Sequence, residues 1–297
     1  MKLSLIFSIY NRLDLLDLGL QSLLKQTMPT EDWEIVIADD MSTKDISEIY
    51  KKYPFNITHI QFNPKDHPFY KGYHTASLGL NLAIKAAEGE VICISQPEIL
   101  HEEKNFELGY KQAMQNKAVF GHTILTHRKF TPWITLNIDK TFDQWWDKAN
   151  ELATPFPLNE FYWYEMYVKR EHALYVNGVE EAYMQGVYAE DDEFKDRIKF
   201  RLLKVNNLGR EDEADICYVD PNIRTIHVNH EHEGDLYPKQ DRNANFWRKG
   251  AEHNRAMYRL WCTDVSQTKD LTGFIRANKG RDWGDPKYIE QTWNQSL

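Results

Sequence analysis

The chain has 297 residues, of which 42% are hydrophobic and 27% are charged, and its net charge at pH 7 is -9. This length accommodates one large α/β domain or two small ones, and the acidic balance argues against a protein that grips nucleic acid through a basic face. No run approaches the roughly 20 apolar residues of a membrane-spanning helix. Cys93, Cys217 and Cys262 are odd in number and lack metal-ligand spacing, which favours a reducing cytoplasm.

The first hundred residues alternate between short apolar runs and amphipathic segments. The apolar runs at residues 3–9, 35–38, 57–62 and 91–94 predict four buried strands, and the segments between them predict helices. Strands and helices that alternate at such short intervals indicate a parallel, doubly wound sheet with right-handed crossovers.

Acidic residues follow two of these strands. Asp39 and Asp40 come directly after the second strand, and Gln96, Pro97 and Glu98 follow the fourth, where the proline ends the pairing. Open α/β sheets bind their ligands at the carboxyl edge, so we expect the two acidic groups to converge there. Gln-Pro-Glu alone is more often an ordinary turn, but this convergence makes Glu98 a candidate for chemistry.

The second half of the chain is less regular. Helices are predicted at residues 102–115 and 143–152, with a strand at 119–125 between them, and a helix at 169–176 that Asn177-Gly178 ends in a left-handed cap. Four acidic residues, 190–193, open a further helix. Carboxylates are favoured at a helix start by the helix dipole, so this run by itself indicates ordinary capping.

A histidine-rich segment follows a strand predicted at residues 223–228. His227, His230 and His232 stand among acidic residues, and imidazole and carboxylate are suitable ligands for a divalent ion. In an extended chain His230 and His232 share a side, whereas His227 faces the other way. The spacing fits no closed zinc site, and a lone histidine here is more often a satisfied surface or core group. A last helix is predicted at residues 241–262.

With these segments laid out, the chain resembles the GT-A fold glycosyltransferases of the large family-two group. Four stretches carry the resemblance, namely Tyr10-Asn11-Arg12, the Asp-Asp-x-Ser-Thr run at 39–43, residues 81–90, and the region from Arg170-Glu171 through Glu190-Asp191 to Arg197. The resemblance implies an α/β protein with a mostly parallel, Rossmann-like sheet flanked by helices. It implies a glycosyltransferase domain at residues 1–235, with a nucleotide-sugar half at 1–100 and an acceptor half at 101–235, and a helical extension at 236–297.

The sequence departs from the family pattern at two places. Gln96-Pro97-Glu98 stands where the family usually has a metal-binding Asp-x-Asp, so only Glu98 offers a carboxylate. Leu80 stands where the family often has an arginine, and Lys71 or His74 is expected to supply that positive charge. We interpret these departures as those of a variant enzyme.

The resemblance implies an inverting transfer from a nucleotide-diphosphate sugar, with a UDP-sugar as the expected donor and a glycan or glycolipid as the acceptor. Asp191 is the expected base, Glu190 positions the acceptor, and Glu98 and His230 hold Mn2+ or Mg2+, with His227 as the alternative ligand. The expected nucleotide-binding residues are Ser8, Tyr10, Arg12, Asp39, Asp40, Lys71 and Gln96. Such an enzyme would work in the cytoplasm, either free or peripheral at a membrane surface.

Two alternatives stay open. One is a non-catalytic sugar-binding module that kept the fold, which the missing Asp-x-Asp favours and the Glu190-Asp191 pair opposes. The other is a transferase that glycosylates a modified nucleic-acid base, which the acidic charge opposes. A nicotinamide enzyme is excluded because no G-x-G-x-x-G follows any predicted strand.

Overall fold

The computed structural model describes residues 1–73, 76–154, 164–230, 244–267 and 271–296. The strands in these residues are β1 (Leu3–Ile9), β2 (Trp33–Asp39), β3 (Ile57–Phe62), β4 (Val91–Ser95), β5 (Ile99–His101), β6 (Ala118–Leu125), β7 (Glu165–Lys169), β8 (Cys217–His227) and β9 (Ile289–Gln295). The α-helices are α1 (Leu13–Leu23), α2 (Ser47–Tyr50), α3 (Ala76–Ala86), α4 (Asn105–Ala113), α5 (Phe130–Thr135), α6 (Phe142–Glu151), α7 (Arg170–Tyr175), α8 (Glu190–Asn206), α9 (Glu213–Ile216) and α10 (Ala244–Ser266).

All the described strands belong to one sheet, in the order β5-β8-β6-β7-β4-β1-β2-β3-β9. The predicted α/β class is confirmed. The parallel arrangement holds for β3, β2, β1 and β4, whereas β5, β7 and β9 pair antiparallel with their neighbours. The sheet as a whole is therefore mixed rather than mostly parallel.

The central strands are buried on both faces, which explains their continuous apolar sequences. Ile35 and Ile37 of β2 pack into one apolar cluster with Phe7 of β1. Val36 and Ala38 face the opposite side of the sheet, where they pack against α3. Successive side chains of a strand point to opposite faces, so each central strand joins both halves of the core.

Tight packing fixes the turn that follows β4. A Cβ added to Gly19 of α1 would lie 2.5 Å from the carbonyl oxygen of Pro97. Only glycine lets the helix approach this closely, and the approach places the Gln96-Pro97-Glu98 turn directly against α1. The first helix thus holds the segment that carries Glu98.

The C-terminal part differs from the helical extension that the sequence predicts. It contains the expected helix, α10, but β9 then pairs antiparallel with β3 and completes the edge of the sheet. The prediction missed this strand because its side chains are mostly polar and exposed, with no apolar alternation. The proposed division at residue 235 stays a prediction. No helix within the described ranges is both long and apolar enough to cross a membrane.

Candidate active site

The loops that follow β1 and β2, at the carboxyl edge of the sheet, are joined by hydrogen bonds. The backbone N–H of Asn11 donates to Ser42 Oγ over 2.7 Å, and Asn11 Oδ1 accepts from the backbone N–H of Thr43 over 3.0 Å. Asn11, Arg12 and Met41 have φ values of 59°, 61° and 55°, a left-handed conformation that is uncommon outside glycine. Such backbone strain persists where the surroundings impose it, and it concentrates at functional sites.

The structure gives the two aspartates after β2 different surroundings. Asp39 is 1% exposed, and its Oδ1 accepts from the backbone N–H of Ser42 over 2.8 Å. Its Oδ2 lies 3.4 Å from His59 Nε2, so this carboxylate organises the loop. Asp40 is buried beside Tyr70, whose pKa is raised by burial and by the negative charge of Asp40. Of the two, Asp40 is therefore the better candidate for direct nucleotide contact.

The other predicted nucleotide-binding residues lie on the same edge. Ser8, next to the last residue of β1, lies against α3, where a Cβ on Gly79 would be 2.5 Å from Ser8 Oγ. The pKa of Tyr70 is raised by burial, by the charge of Asp40 and, least of the three, by Tyr10. Gln96 is half-buried in the turn after β4, and Lys71 is exposed. His74 lies outside the described residues, as does His232.

The residues predicted as metal ligands meet at a single carboxylate. Arg12 Nη1 lies 2.6 Å from Glu98 Oε1, His230 Nε2 lies 3.0 Å from it, and His227 Nε2 lies 3.6 Å from it. We call Glu98, Arg12, His227 and His230 the Glu98 cluster. The sequence did not predict the contact between Arg12 and Glu98, which are 86 positions apart.

The expectation that His227 faces away from His230 is wrong. Both imidazoles reach Glu98, and their ring centroids are 5.5 Å apart. The reason is that β8 ends at His227, so residues 228–230 no longer follow the alternation of an extended strand.

The Glu98 cluster has the composition of a divalent-metal site. One ligand atom from each of Glu98, His227 and His230 lies within 4.8 Å of the others. Glu98 is 1% exposed, and among the described residues no donor reaches its buried Oε2. Burial by itself raises the pKa of Glu98, but Arg12 and the two histidines outweigh burial and hold that pKa well below its ordinary value. The carboxylate is thus ionised and has an oxygen to offer.

The predicted catalytic pair begins α8. Tyr188 and Ala189 precede it with φ values of 71° and 72°, so a strained turn delivers Glu190 and Asp191. Burial raises the pKa of both carboxyls. The negative charge of Asp191 raises the pKa of Glu190 further, and the negative charge of Asp192 does the same for Asp191. Raised pKa values in neighbouring carboxyls are typical of acid–base sites.

Other residues of the matching motifs serve the architecture. Asn81 Nδ2 donates to Glu181 Oε1 over 2.9 Å, and the backbone N–H of Gly284 donates to the same oxygen over 2.6 Å. Arg197 is fully buried and pairs with both carboxylate oxygens of Glu193, at 2.7 and 2.6 Å. The first pair of contacts joins α3 to Glu181 and the C-terminal tail, and the second lies within α8.

Comparison with known proteins now decides the family. The sequence matches the model of glycosyl transferase family 2 over residues 4–170, more than half of the chain. The chain belongs to this family. The resemblance predicted from the sequence is therefore confirmed. The match ends before Asp191, His227 and His230, so their roles rest on the geometry described above.

The individual relatives match only part of this chain. A poly(ribitol-phosphate) beta-glucosyltransferase of Bacillus spizizenii is 39% identical over 97 residues, which are 31% of this chain and 14% of that protein. An uncharacterized glycosyltransferase of Rickettsia bellii is 31% identical over 125 residues, which are 41% of this chain and 16% of that protein. The chain thus matches about a sixth of the length of these relatives.

Solved structures share the fold. The mannosyltransferase PcManGT from Pyrobaculum calidifontis, in complex with GDP-Man and Mn2+, has a TM-score of 0.53 at 16% identity, covering 92% of this chain and 68% of that one. Residues 1–349 of TarS from S. aureus, in complex with UDP-GlcNAc, have a TM-score of 0.53 at 17% identity, covering 78% of this chain and 60% of that one. At these identities the likeness concerns the fold alone.

Proposed function

We propose that the protein is an inverting glycosyltransferase that moves a sugar from a UDP-sugar to a hydroxyl group of a glycan or glycolipid, with Mn2+ or Mg2+ as cofactor. The observation that carries the proposal is the convergence of Glu98, His227 and His230 at the carboxyl edge of the sheet. The nucleotide sugars bound by PcManGT and TarS support the donor class. The three free cysteines support a reducing, cytoplasmic setting.

The interlocked loops after β1 and β2 would form the nucleoside wall. Asp40 would accept from the N–H of a base, while Asp39 maintains the loop through Ser42 and His59. Ser8 and Tyr10 would line the same wall. Lys71 and Gln96 are the remaining candidates for contacts to the donor.

Glu98, His230 and His227 would hold the divalent ion. The ion would offset the negative charge that grows on the diphosphate leaving group. Two imidazoles with one carboxylate suit Mn2+ better than Mg2+, which prefers an all-oxygen shell. The domain division at residues 100 and 235 belongs to the same proposal, with the donor bound mainly by the first part.

Asp191 would take the proton from the acceptor hydroxyl, and Glu190 would position that hydroxyl. A base is effective when its pKa lies near the working pH, and burial moves the pKa of Asp191 upward in that direction. Attack by the acceptor from the side opposite the leaving diphosphate inverts the anomeric carbon in one step. A product that keeps the anomeric configuration of the donor would contradict this mechanism.

Calorimetric titration tests the donor and the metal together. UDP, GDP and CDP are each titrated with and without Mn2+ into the wild type and into Glu98→Gln. We expect UDP to bind in the presence of Mn2+ and Glu98→Gln to weaken that binding by at least about tenfold, because the one carboxylate that the described residues bring to the metal-capable group loses its charge.

Glu107→Gln is the matched control, since Glu107 is an exposed glutamate on α4. It should bind UDP as the wild type does. Equally tight UDP binding without metal would refute the metal assignment, and tighter binding of GDP or CDP would refute UDP. If no nucleotide bound, a sugar-binding module would account for the fold better.

The pH dependence of kcat/KM tests the base. Asp191 works as a base only when it is deprotonated, so the rate should rise with pH through the raised pKa of this carboxyl, above the roughly 4 of an ordinary aspartate. Asp192→Asn removes a neighbouring negative charge that raises this pKa. We expect the rising limb to move to lower pH in this variant. An unmoved limb would contradict the assignment of Asp191.

A further inference from the structure

A cation already occupies the carboxylate that the proposed metal would use. Arg12 Nη1 is 2.6 Å from Glu98 Oε1, the oxygen that both histidines also approach. The Glu98 side chain is 1% exposed and that of Arg12 is 14% exposed, so water screens this ion pair poorly. The free protein thus has its own counter-ion in the metal site.

We propose that Arg12 and the divalent ion compete for Glu98, and that the donor's diphosphate relieves the competition by drawing the Arg12 guanidinium onto its phosphate oxygens. Metal and donor are then taken up together, and the metal alone binds weakly. This inference rests on the proposed function, because it requires a diphosphate donor at the same edge of the sheet.

The charge balance of the site supports the competition. Among the described residues, the metal-capable group contains one carboxylate, and Arg12 neutralises it. From these residues a divalent ion meets a positive guanidinium and no net negative charge. A diphosphate adds negative charge to the same place, so the ion and the guanidinium both gain a partner. Glu98 Oε2, which accepts no hydrogen bond from the described residues, provides further capacity for a cation.

The local structure lets the side chain move while the backbone stays. The carbonyl of Arg12 accepts the backbone N–H of Leu16 over 2.9 Å at the start of α1, and Asn11 is held by Ser42 and Thr43. Only the side chain of Arg12 has to rotate. Its planar guanidinium can bind two phosphate oxygens at once, so the diphosphate is a competitive partner for it.

The binding of Mn2+ and the binding of UDP are thermodynamically linked, so the coupling between them can be measured. If UDP tightens the binding of Mn2+ by some factor, Mn2+ must tighten the binding of UDP by the same factor. Removing the charge of Arg12 should raise the affinity for Mn2+ alone and reduce that factor. A residue that merely stabilised the loop would change neither quantity in this way.

The experiment measures Mn2+ binding through the electron paramagnetic resonance signal of the free ion, with and without UDP, on the wild type, Arg12→Gln and Arg12→Met at pH 8. Both variants remove the positive charge; Arg12→Gln keeps a hydrogen-bond donor, and Arg12→Met adds no hard ligand to the site. A protein-free titration corrects for Mn2+ bound by UDP itself, and melting curves verify folding. Lys111→Gln, which removes an exposed lysine of α4, is the control.

We expect UDP to tighten Mn2+ binding to the wild type by at least about tenfold, and the charge-removing variants to bind Mn2+ alone at least about tenfold more tightly than the wild type, within the usual range of coupling between two sites. Equal Mn2+ affinities of wild type and both variants without nucleotide would overturn the competition. Failure of UDP to bind the wild type would instead overturn the proposed donor, while the nucleotide-free comparison would still decide the role of Arg12.

Discussion

Replacement of Asp191 by Asn is expected to lower kcat by about two to four orders of magnitude, the usual contribution of a general base. The amide keeps the shape of the side chain but cannot accept the acceptor's proton. Donor affinity should stay within about twofold of the wild type, since the donor site proposed here lies on the loops after β1, β2 and β4. The measurement is the rate of sugar transfer at saturating donor and acceptor, with UDP affinity measured by calorimetry.

Asp192→Asn is the matched control for this variant. Asp192 is one position further along α8, pairs with Lys195 over 2.9 Å and has a side chain that is 42% exposed. The same chemical change there should leave transfer at pH 8 within about threefold of the wild type, as expected for a residue outside the chemistry. A similar loss in both variants would mean that the acidic run acts through the helix start rather than through Asp191.

Arg197→Met is expected to destabilise the fold by about 3–5 kcal/mol, because it leaves the buried carboxylate of Glu193 without its cation. Arg197 also donates to the backbone carbonyls of Val176 and Gly178, over 3.0 and 2.8 Å, and both carbonyls would lose their partner. The measurement is the free energy of unfolding from urea denaturation followed by circular dichroism.

Two further variants make this result interpretable. Lys204→Met, at an exposed position of the same helix, should change stability by no more than about 0.5 kcal/mol. The double variant Arg197→Met/Glu193→Leu should recover part of the loss, because no buried charge is left unpaired. A loss in Arg197→Met no larger than in Lys204→Met would show that the buried ion pair contributes little.

The sequence predicted the framework of the site well because its elements have strong local signals. β1, β2, β3 and β4 are apolar runs that must be buried on both faces. The end of α7 was equally legible, since Asn177 and Gly178 have φ values of 61° and 64° as a left-handed cap requires. Burial pattern and turn chemistry are local properties, so they can be predicted from a single sequence.

Side-chain partners across the fold were not predictable in the same way. Nothing in the residue types indicates that Arg12 pairs with Glu98 rather than with a nucleotide, or that Asp39 turns toward Ser42 and His59. These contacts depend on how loops from different strands approach one another. The predicted direction of the His227 side chain was wrong for a related reason. The prediction continued the alternation of β8 beyond the residue at which the strand ends.

Motif residues also proved to have more than one kind of role. Asn81, Glu181 and Arg197 belong to the stretches that carry the family resemblance, yet their observed partners are protein atoms. The residues that recur in a family's motifs include some that maintain the fold and some that carry out the chemistry. Only the observed contacts distinguish the first kind from the second. At the two residues proposed for chemistry, the pKa of Asp191 is raised by burial, whereas the pKa of Glu98 is lowered and its Oε2 accepts no hydrogen bond from the described residues.

The position of β9 near the end of this sequence also matters while the chain is being synthesised. Thr58 of β3 and Asn294 of β9 are joined by a side-chain hydrogen bond across 236 positions, so β3 is synthesised long before its outer partner. Until residues 289–295 emerge, the backbone of β3 is an open edge to which another nascent chain could add a strand. A chain shortened before residue 289 would keep this edge open permanently, and we expect it to associate through it. The strand least visible in the sequence is thus the one that covers the outer edge of β3.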